Sequence, residues 1–234
     1  METRVAINVL RDRLKKLEIF RHLSESETAL LLENLHYKEL RKGNILYREG
    51  CYLNKVILLF DGVVKQKKCG SKGKELIIRF AKGGEILGFR SFLTEELACA
   101  TAEVMEDVKV AYIEGSCLTQ LMKSNSNFSM IMMKHVCGEL SATQTFILNV
   151  AQKTVRERVA EGLVQLKEVF DVDDDCNLKI PLSRRDLANV VGTVPESVIR
   201  MLADFKKENL IEVNGRRIRL MNIQKLTRIG SVAM

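Results

Sequence analysis

Ser183-Arg184-Arg185-Asp186-Leu-Ala-Asn-Val-Val-Gly192-Thr193-Val-Pro195-Glu196-Ser197-Val-Ile199-Arg200-Met-Leu-Ala-Asp-Phe205, followed shortly by Leu210-Ile-Glu-Val-Asn214-Gly215-Arg216-Arg217-Ile-Arg-Leu220, carries the clearest structural signal in the chain. Ser183 with Asp186 three residues on is an N-cap followed by an acid in the first helical turn, where it complements the helix dipole. Leu187, Val190 and Val191 then share one face, and Gly192 stands where a C-cap glycine ends a helix. Thr193 and Glu196 have the spacing of a second capping box, with Pro195 inside the first turn of a new helix. Two helices joined so closely predict a helix-turn-helix, whose second helix enters the DNA major groove. Val198, Met201, Leu202 and Phe205 give that helix a buried face and leave Glu196, Ser197, Ile199 and Arg200 outside. Beyond it, two short β-rich runs flank Asn214-Gly215 and predict a hairpin with a type I′ turn, the wing.

The charge distribution agrees. Residues 179–234 hold 11 Lys and Arg against 5 Asp and Glu, or +6, whereas residues 1–178 hold 26 against 25, or +1, so nearly all of the chain's +7 lies in its last quarter. A basic excess confined to a groove-shaped motif points to nucleic acid more sharply than a high overall charge does. Ordinary solvated charges on a small helical domain would also give an excess, and one capping box is weak evidence. The order of caps, glycine break and hairpin is what favours DNA.

The 234 residues suffice for one large or two ordinary domains, and a hydrophobic content of 46% argues against disorder. No apolar run approaches the length of a membrane span, and the charged N-terminus is unlike a signal peptide, so a cytoplasmic protein is expected. Cys51, Cys69, Cys99, Cys117, Cys137 and Cys176 are widely spaced, with no Cys-x-x-Cys. They read as free thiols, and no metal site is expected. His22, His36 and His135 are too scattered to form a metal cluster.

Residues 1–36 read as helical, with Ser24 and Glu27 forming a capping box. From about 37 to 113, short β-rich runs (Ile45–Tyr47, Val56–Phe60, Leu76–Ile78, 102–104 and Val108–Ile113) alternate with glycine turns at 42–44, 61–62, 70–73, 83–84 and 88. That texture predicts a small barrel or double-sheet domain. A long helix follows, roughly Ser126 to Asn149, on which Met133, Val136, Leu140, Thr143, Ile147 and Val150 form a heptad seam. Phe128, Ile131, Met132 and Phe146 widen its apolar surface. Such a helix packs in two directions, and the seam predicts a homodimer with two-fold symmetry. A monomer with one wide core-facing helix would carry the same residues. Lys153 to Arg156 reads as a hinge or helix restart. The acidic run 171–177 lacks the glycine and closing glutamate of an EF-hand, and reads as a solvated turn.

In the order of its parts, the chain resembles the Crp–Fnr family of bacterial transcription regulators from about Phe20 to Leu220. The resemblance rests on Lys42-Gly43…Tyr47-Arg-Glu49-Gly50, Val56…Asp-Gly62-Val-Val-Lys65, Gly73-Lys-Glu-Leu-Ile-Ile and Gly84-Glu85-Ile-Leu-Gly88-Phe89, then on Arg184 to Ala188, Gly192, Glu196-Ser-Val-Ile-Arg200 and the wing. It implies an α+β fold in three parts: an effector-sensing, cyclic-nucleotide-binding-like β-roll (a double-stranded β-helix or jelly roll) at 1–124, a dimerisation helix at 125–152, and a winged helix-turn-helix at 153–234. It also implies that Glu196 and Arg200 read adjacent G·C pairs, since Arg bonds guanine O6 and N7 and Glu accepts from cytosine N4. Ile199 can touch a thymine methyl. Arg184, Arg185, Thr193, Lys206, Lys207, Arg216 and Arg217 are phosphate candidates. The implied partners are double-stranded DNA, a second copy and RNA polymerase, with no membrane.

The effector region departs from the family. Cyclic-AMP-binding members follow a Gly-Glu step, about ten residues on, with Arg-Ser/Thr-Ala. Here Gly88 precedes Phe89, and Ala98-Cys99-Ala100 stand where Arg-Ser/Thr-Ala would be. Arg90 is a nearby cation that lies too early, and on the long helix Thr143 fits the position of an adenine-binding threonine while its neighbour is Gln144 instead of a serine. These departures argue against cyclic AMP. An iron–sulfur centre is also disfavoured, because no cysteine precedes Cys51; haem bound through His135 or Met132 stays open. An enzyme built on the roll would need a metal set or an activated nucleophile, and neither is visible. A signalling module working through a protein partner remains the rival.

Overall fold

The computed structural model describes residues 10–70 and 73–231. Contacts divide the chain into two compact units, residues 1–68 with 79–141 and residues 69–78 with 142–234. In the first unit a short helix, described over residues 10–16 (α1), precedes α2 (Glu25–Glu33). Ser24 and Glu27 form the expected capping box, Ser24 N–H donating to Glu27 Oε2 at 2.8 Å and Glu27 N–H to Ser24 Oγ at 3.2 Å. The helical opening ends earlier than expected, because Leu35–Leu40 is strand β1. Four of its six residues are exposed, so it lacks the apolar alternation that would mark it in the sequence.

Strands β2 (Ile45–Tyr47), β3 (Lys55–Asp61), β4 (Val63–Cys69), β5 (Glu75–Lys82) and β6 (Ile86–Leu87) follow, then helix α3 (Phe89–Thr94), strands β7 (Thr101–Val104) and β8 (Val108–Glu114), and helix α4 (Gly115–Ser124). They form two four-stranded sheets, β1-β8-β3-β6 and β2-β7-β4-β5, with every recorded pairing antiparallel. Strand β3 explains its own sequence: Val56 to Phe60 are all buried. Ile57 and Leu59 join Val64, Ala81, Leu87, Ala102 and Val110 inside the roll. Val56, Leu58 and Phe60 face a second core with Leu14, Phe20, Leu31, Leu118 and Phe128, where Phe20 and Phe128 stack at 5.9 Å. A strand covered on both faces has no polar side, hence its unbroken apolar run.

Helix α5 (Ser126–Gln152) is 27 residues long. The rest of the second unit comprises α6 (Val155–Phe170), α7 (Arg184–Val191), α8 (Pro195–Lys207), the hairpin β9 (Ile211–Asn214) and β10 (Arg217–Leu220), and α9 (Ile223–Gly230). Lys153 and Thr154 separate α5 from α6, and Thr154 caps α6 in a box with Glu157. The absence of a side chain at Gly162 lets α7 approach α6, since a Cβ there would lie 2.6 Å from Val191 Cγ1. The acidic loop is a local turn, with Asp173 Oδ1 accepting from the N–H groups of Asp175 and Asn177 at 3.0 and 2.8 Å. Among the described residues no helix is long and apolar enough to cross a membrane, and no three His, Cys, Asp or Glu are grouped to hold a metal.

Gly43 and Gly62 both have φ +86°, but a Cβ at Gly43 meets nothing within 4 Å whereas one at Gly62 would sit 2.4 Å from Asp107 O. Gly43→Ala therefore costs about 1–2 kcal/mol for the left-handed backbone. Gly62→Ala adds about 1–3 kcal/mol of steric strain. Urea denaturation of the two variants side by side measures the difference.

Candidate nucleic-acid interface

Helix α7 begins as its sequence predicts: Asp186 N–H donates to Ser183 Oγ at 3.0 Å, and Ser183 N–H to Asp186 Oδ2 at 3.2 Å. Gly192 ends it in the left-handed conformation, φ +65°. The second capping box does not form. Helix α8 is capped at Val194 with no side-chain bond and carries Pro195 in its first turn. Thr193 belongs to the preceding helix end, its N–H donating to Ala188 O at 3.0 Å, so Glu196 stands one residue too early to reach back to an N-cap. The turn is instead held by Arg158, which the sequence reading missed. Its Nη1 donates to Val191 O at 2.8 Å and to Gly192 O at 2.9 Å, placing a cation on the negative end of α7.

On α8, Val198, Leu202 and Phe205 are buried at 0–3% exposure, while Met201, expected with them, is half-buried. Glu196 and Arg200 are exposed one helical turn apart, Ile199 lies between them at 53% exposure, and Ser197 is half-buried. Among the described residues neither the Glu196 nor the Arg200 side chain makes a hydrogen bond or ion pair. A free guanidinium and a free carboxylate on one helical face can together address neighbouring G·C pairs.

The wing differs from expectation by one residue. Asn214 pairs with Arg217, so the two-residue loop is Gly215-Arg216. Only Gly215 has positive φ, +58°, whereas a type I′ turn needs it at both loop positions. Arg216 therefore stands at the exposed tip with Arg217 beside it. Arg184 supports the loop from below, Nη2 donating to Gly215 O at 2.8 Å. Arg185, Lys206 and Lys207 are exposed.

The effector candidates of the first unit are dispersed. Gly88 caps α3 at φ +79°, Phe89 packs into the helix-covered core, and Ala100 is buried. Arg90 is 58% exposed and lies 3.8 Å from Glu96, so it does not enter the roll. Cys99 is half-buried. A partly buried cation of strand β5 that sequence reading passed over is Arg79. It bonds Glu139 of α5 through Nη1 and Glu85 through Nη2, the latter at 2.7 Å. His135 Nε2 lies 3.5 Å from the same Glu139, close enough to act through charge but too far for a normal hydrogen bond. Burial opposes ionisation of Glu139 more than any other single cause, but His135 and Arg79 outweigh it and hold the carboxyl below its usual range. Nearby, Gln66 donates to the Tyr47 hydroxyl at 2.7 Å, and burial pushes that phenol up to about 12. Met132 is fully buried core.

On α5, Met133, Leu140, Ile147 and Val150 are 40–61% exposed, while Val136 is half-buried against the roll's outer core. Thr143 and Gln144, in the second unit, are exposed.

Comparison with known proteins agrees with this layout. The chain matches the model of a cyclic nucleotide-binding domain over residues 37–125 and of a Crp-like helix-turn-helix domain over residues 157–229. It is 25% identical to the fumarate and nitrate reduction regulatory protein of Vibrio cholerae, over 90% of this chain and 85% of that one. FixK2 of Bradyrhizobium japonicum is similar in structure, with TM-score 0.73 and 25% identity over 86% of this chain and 99% of its own. A CRP/FNR-family transcriptional regulator of Thermus thermophilus shares the fold at TM-score 0.72 and 18% identity, over 83% of this chain and 98% of its own.

The depressed Glu139 carboxyl ties folding to pH. Its stabilisation is present above the ordinary value of 4.5 and is lost as pH falls through the lower folded-state value. Glu139→Gln should cost about 1 kcal/mol at pH 7, the upper end for a partly exposed ion pair. That deficit should shrink in urea titrations below pH 4.5.

Proposed function

We propose a mode of action for this chain, which belongs to the Crp–Fnr family of transcription regulators. Two copies join along α5, and each sets its α8 into the major groove of one half of a two-fold symmetric DNA site. The observation that carries this reading is the outer face of α8: Glu196 and Arg200 one turn apart, exposed, their side chains bonded to nothing else among the described residues. Arg200 reads a guanine in each half-site and Glu196 an adjacent cytosine. Arg185, Lys206, Arg216 and Arg217 hold phosphates and set the register, while Arg184 shapes the wing that carries Arg216. The exposed apolar side chains of α5 support the dimer, which would place the two half-sites about one helical turn of DNA, roughly 34–36 Å, apart.

Control comes through the roll, in response to a signal other than cyclic AMP. A cyclic phosphate needs a buried counter-charge. Ala98 occupies the position where the family's arginine would supply it, Arg90 is turned outward, and Arg79 is already shared between two carboxylates. The signal shifts the population of dimers whose recognition helices match the site. The protein works in the cytoplasm, where DNA and RNA polymerase are its partners.

Selection of duplexes from a random library at near-physiological salt tests the reading, and should enrich a palindrome with a G·C pair in each half-site. Failure to enrich any palindrome with thiols reduced, and again with cell extract added as a source of effector, would sink it. On the selected site Arg200→Ala should lose roughly 1–3 kcal/mol per half-site and relax the preference at one base pair. Arg216→Ala should weaken all sequences alike and lower the salt slope by about one. Leu140→Glu places a charge on the exposed seam, and should yield monomers by light scattering that lose palindrome binding.

A further inference from the structure

Two charges in the second unit stand at helix ends that disfavour them. Arg156 is in the first turn of α6, two residues past the Thr154 cap, where the dipole repels a cation. Glu208 is the C-cap of α8, where the dipole repels an anion. They face each other: Arg156 Nη2 donates to both Glu208 oxygens at 2.8 Å, and its guanidinium carbon lies 4.7 Å from the centroid of the buried Phe205 ring. Each residue is out of place for its own helix, and each is in place for the other.

A second set of contacts holds the opposite side of the same joint. Glu161 of α6 accepts from Asn149 Nδ2 at 3.0 and 3.2 Å, and pairs with Lys153 Nζ at 2.8 Å. Asn149 and Lys153 bracket the end of α5, next to the exposed Ile147 and Val150. Behind Glu161, α9 packs so closely that a Cβ on Gly230 would lie 2.8 Å from the Glu161 nitrogen. The end of α5, α6 and the C-terminal end of α8 are thereby joined through side chains across the 153–154 break.

We propose that Arg156 and Glu208 are positioning residues for DNA recognition: their ion pair, stacked on Phe205, fixes the angle of α8 to the end of the α5 seam and so sets the half-site spacing that a dimer accepts. The proposal rests on the DNA-binding reading above. Neither residue needs to touch DNA, so the pair governs discrimination between spacings and leaves the contacts within a half-site alone.

The test uses the full-length protein on four duplexes: the selected palindrome, two versions with one base pair added or removed at its centre, and a single half-site. Wild type should prefer the selected spacing. Arg156→Gln and Glu208→Gln should each lower that preference by about fivefold, the low end of coupling between linked sites, with single-half-site affinity and thermal midpoint unchanged. The exchange R156E/E208R, which suits both helix dipoles and restores the pair, should recover at least part of the preference. If either variant is poorly folded, Arg156→Lys keeps the charge and loses the stacking, and should show a smaller drop. Spacing preference unchanged in the variants overturns the positioning role while leaving the DNA reading intact. Wild type that selects no palindrome overturns both.

Discussion

Helix α5 carries apolar side chains on more of its circumference than one chain can cover. Phe128 and Met132 are fully buried in the core shared with α1, α2, α4 and β3, whereas Met133, Leu140, Ile147 and Val150 remain 40–61% exposed. Exposure of four large apolar residues at steps of three and seven is costly in water, because the hydrophobic term scales with the area left wet. A second copy of the same helix would relieve this cost through a self-complementary seam, as a two-fold dimer allows.

The attachment of α6 to the end of α5 relies on charge as well as on packing. The break at 153–154 interrupts the backbone ladder, and the Thr154–Glu157 box caps the new helix without fixing its direction. Direction comes from Glu161 with Asn149 and Lys153, and from Arg158 on the carbonyls of Val191 and Gly192. Such partly exposed ionic contacts add little to global stability. Their geometry is specific, however, and a joint that must hold one angle benefits from directional bonds more than from slippery apolar contact.

Much of this was legible in local pattern. The Ser183 cap, the Gly192 stop, the Val56–Phe60 strand and the long helix α5 each announce themselves in local sequence, because capping and periodicity are local physics. Where the reading failed, the deciding interaction was out of reach of such patterns. Thr193 looked like an N-cap until its N–H was needed to finish α7. Asn214-Gly215 looked like a type I′ turn until the pairing of Asn214 with Arg217 moved the loop on by one residue. Strand β1 is specified by its partner β8, more than sixty residues later, and only weakly by its own mostly exposed side chains. The exposed face of α8 was visible because helical spacing alone places it. The roll's partly buried cation was invisible, because Arg79 is assigned its role by Glu139, 60 residues away.

That cation bears on how one fold changes its signal. A roll that binds an anion keeps a positive charge uncompensated until the ligand arrives. Here Arg79 is met by Glu85 and Glu139, and the Glu139 carboxyl stays ionised despite its burial because His135 and Arg79 stabilise the charged form. An anionic ligand at this end of the roll would have to displace a carboxylate from Arg79 and leave that carboxylate desolvated, which low local dielectric makes costly. A neutral or cationic ligand meets no such opposition, and any event that alters the Glu139 charge acts directly on a residue of α5. An internal salt bridge from Arg79 to Glu139 therefore ties strand β5 of the roll to α5, the helix that carries the exposed apolar side chains.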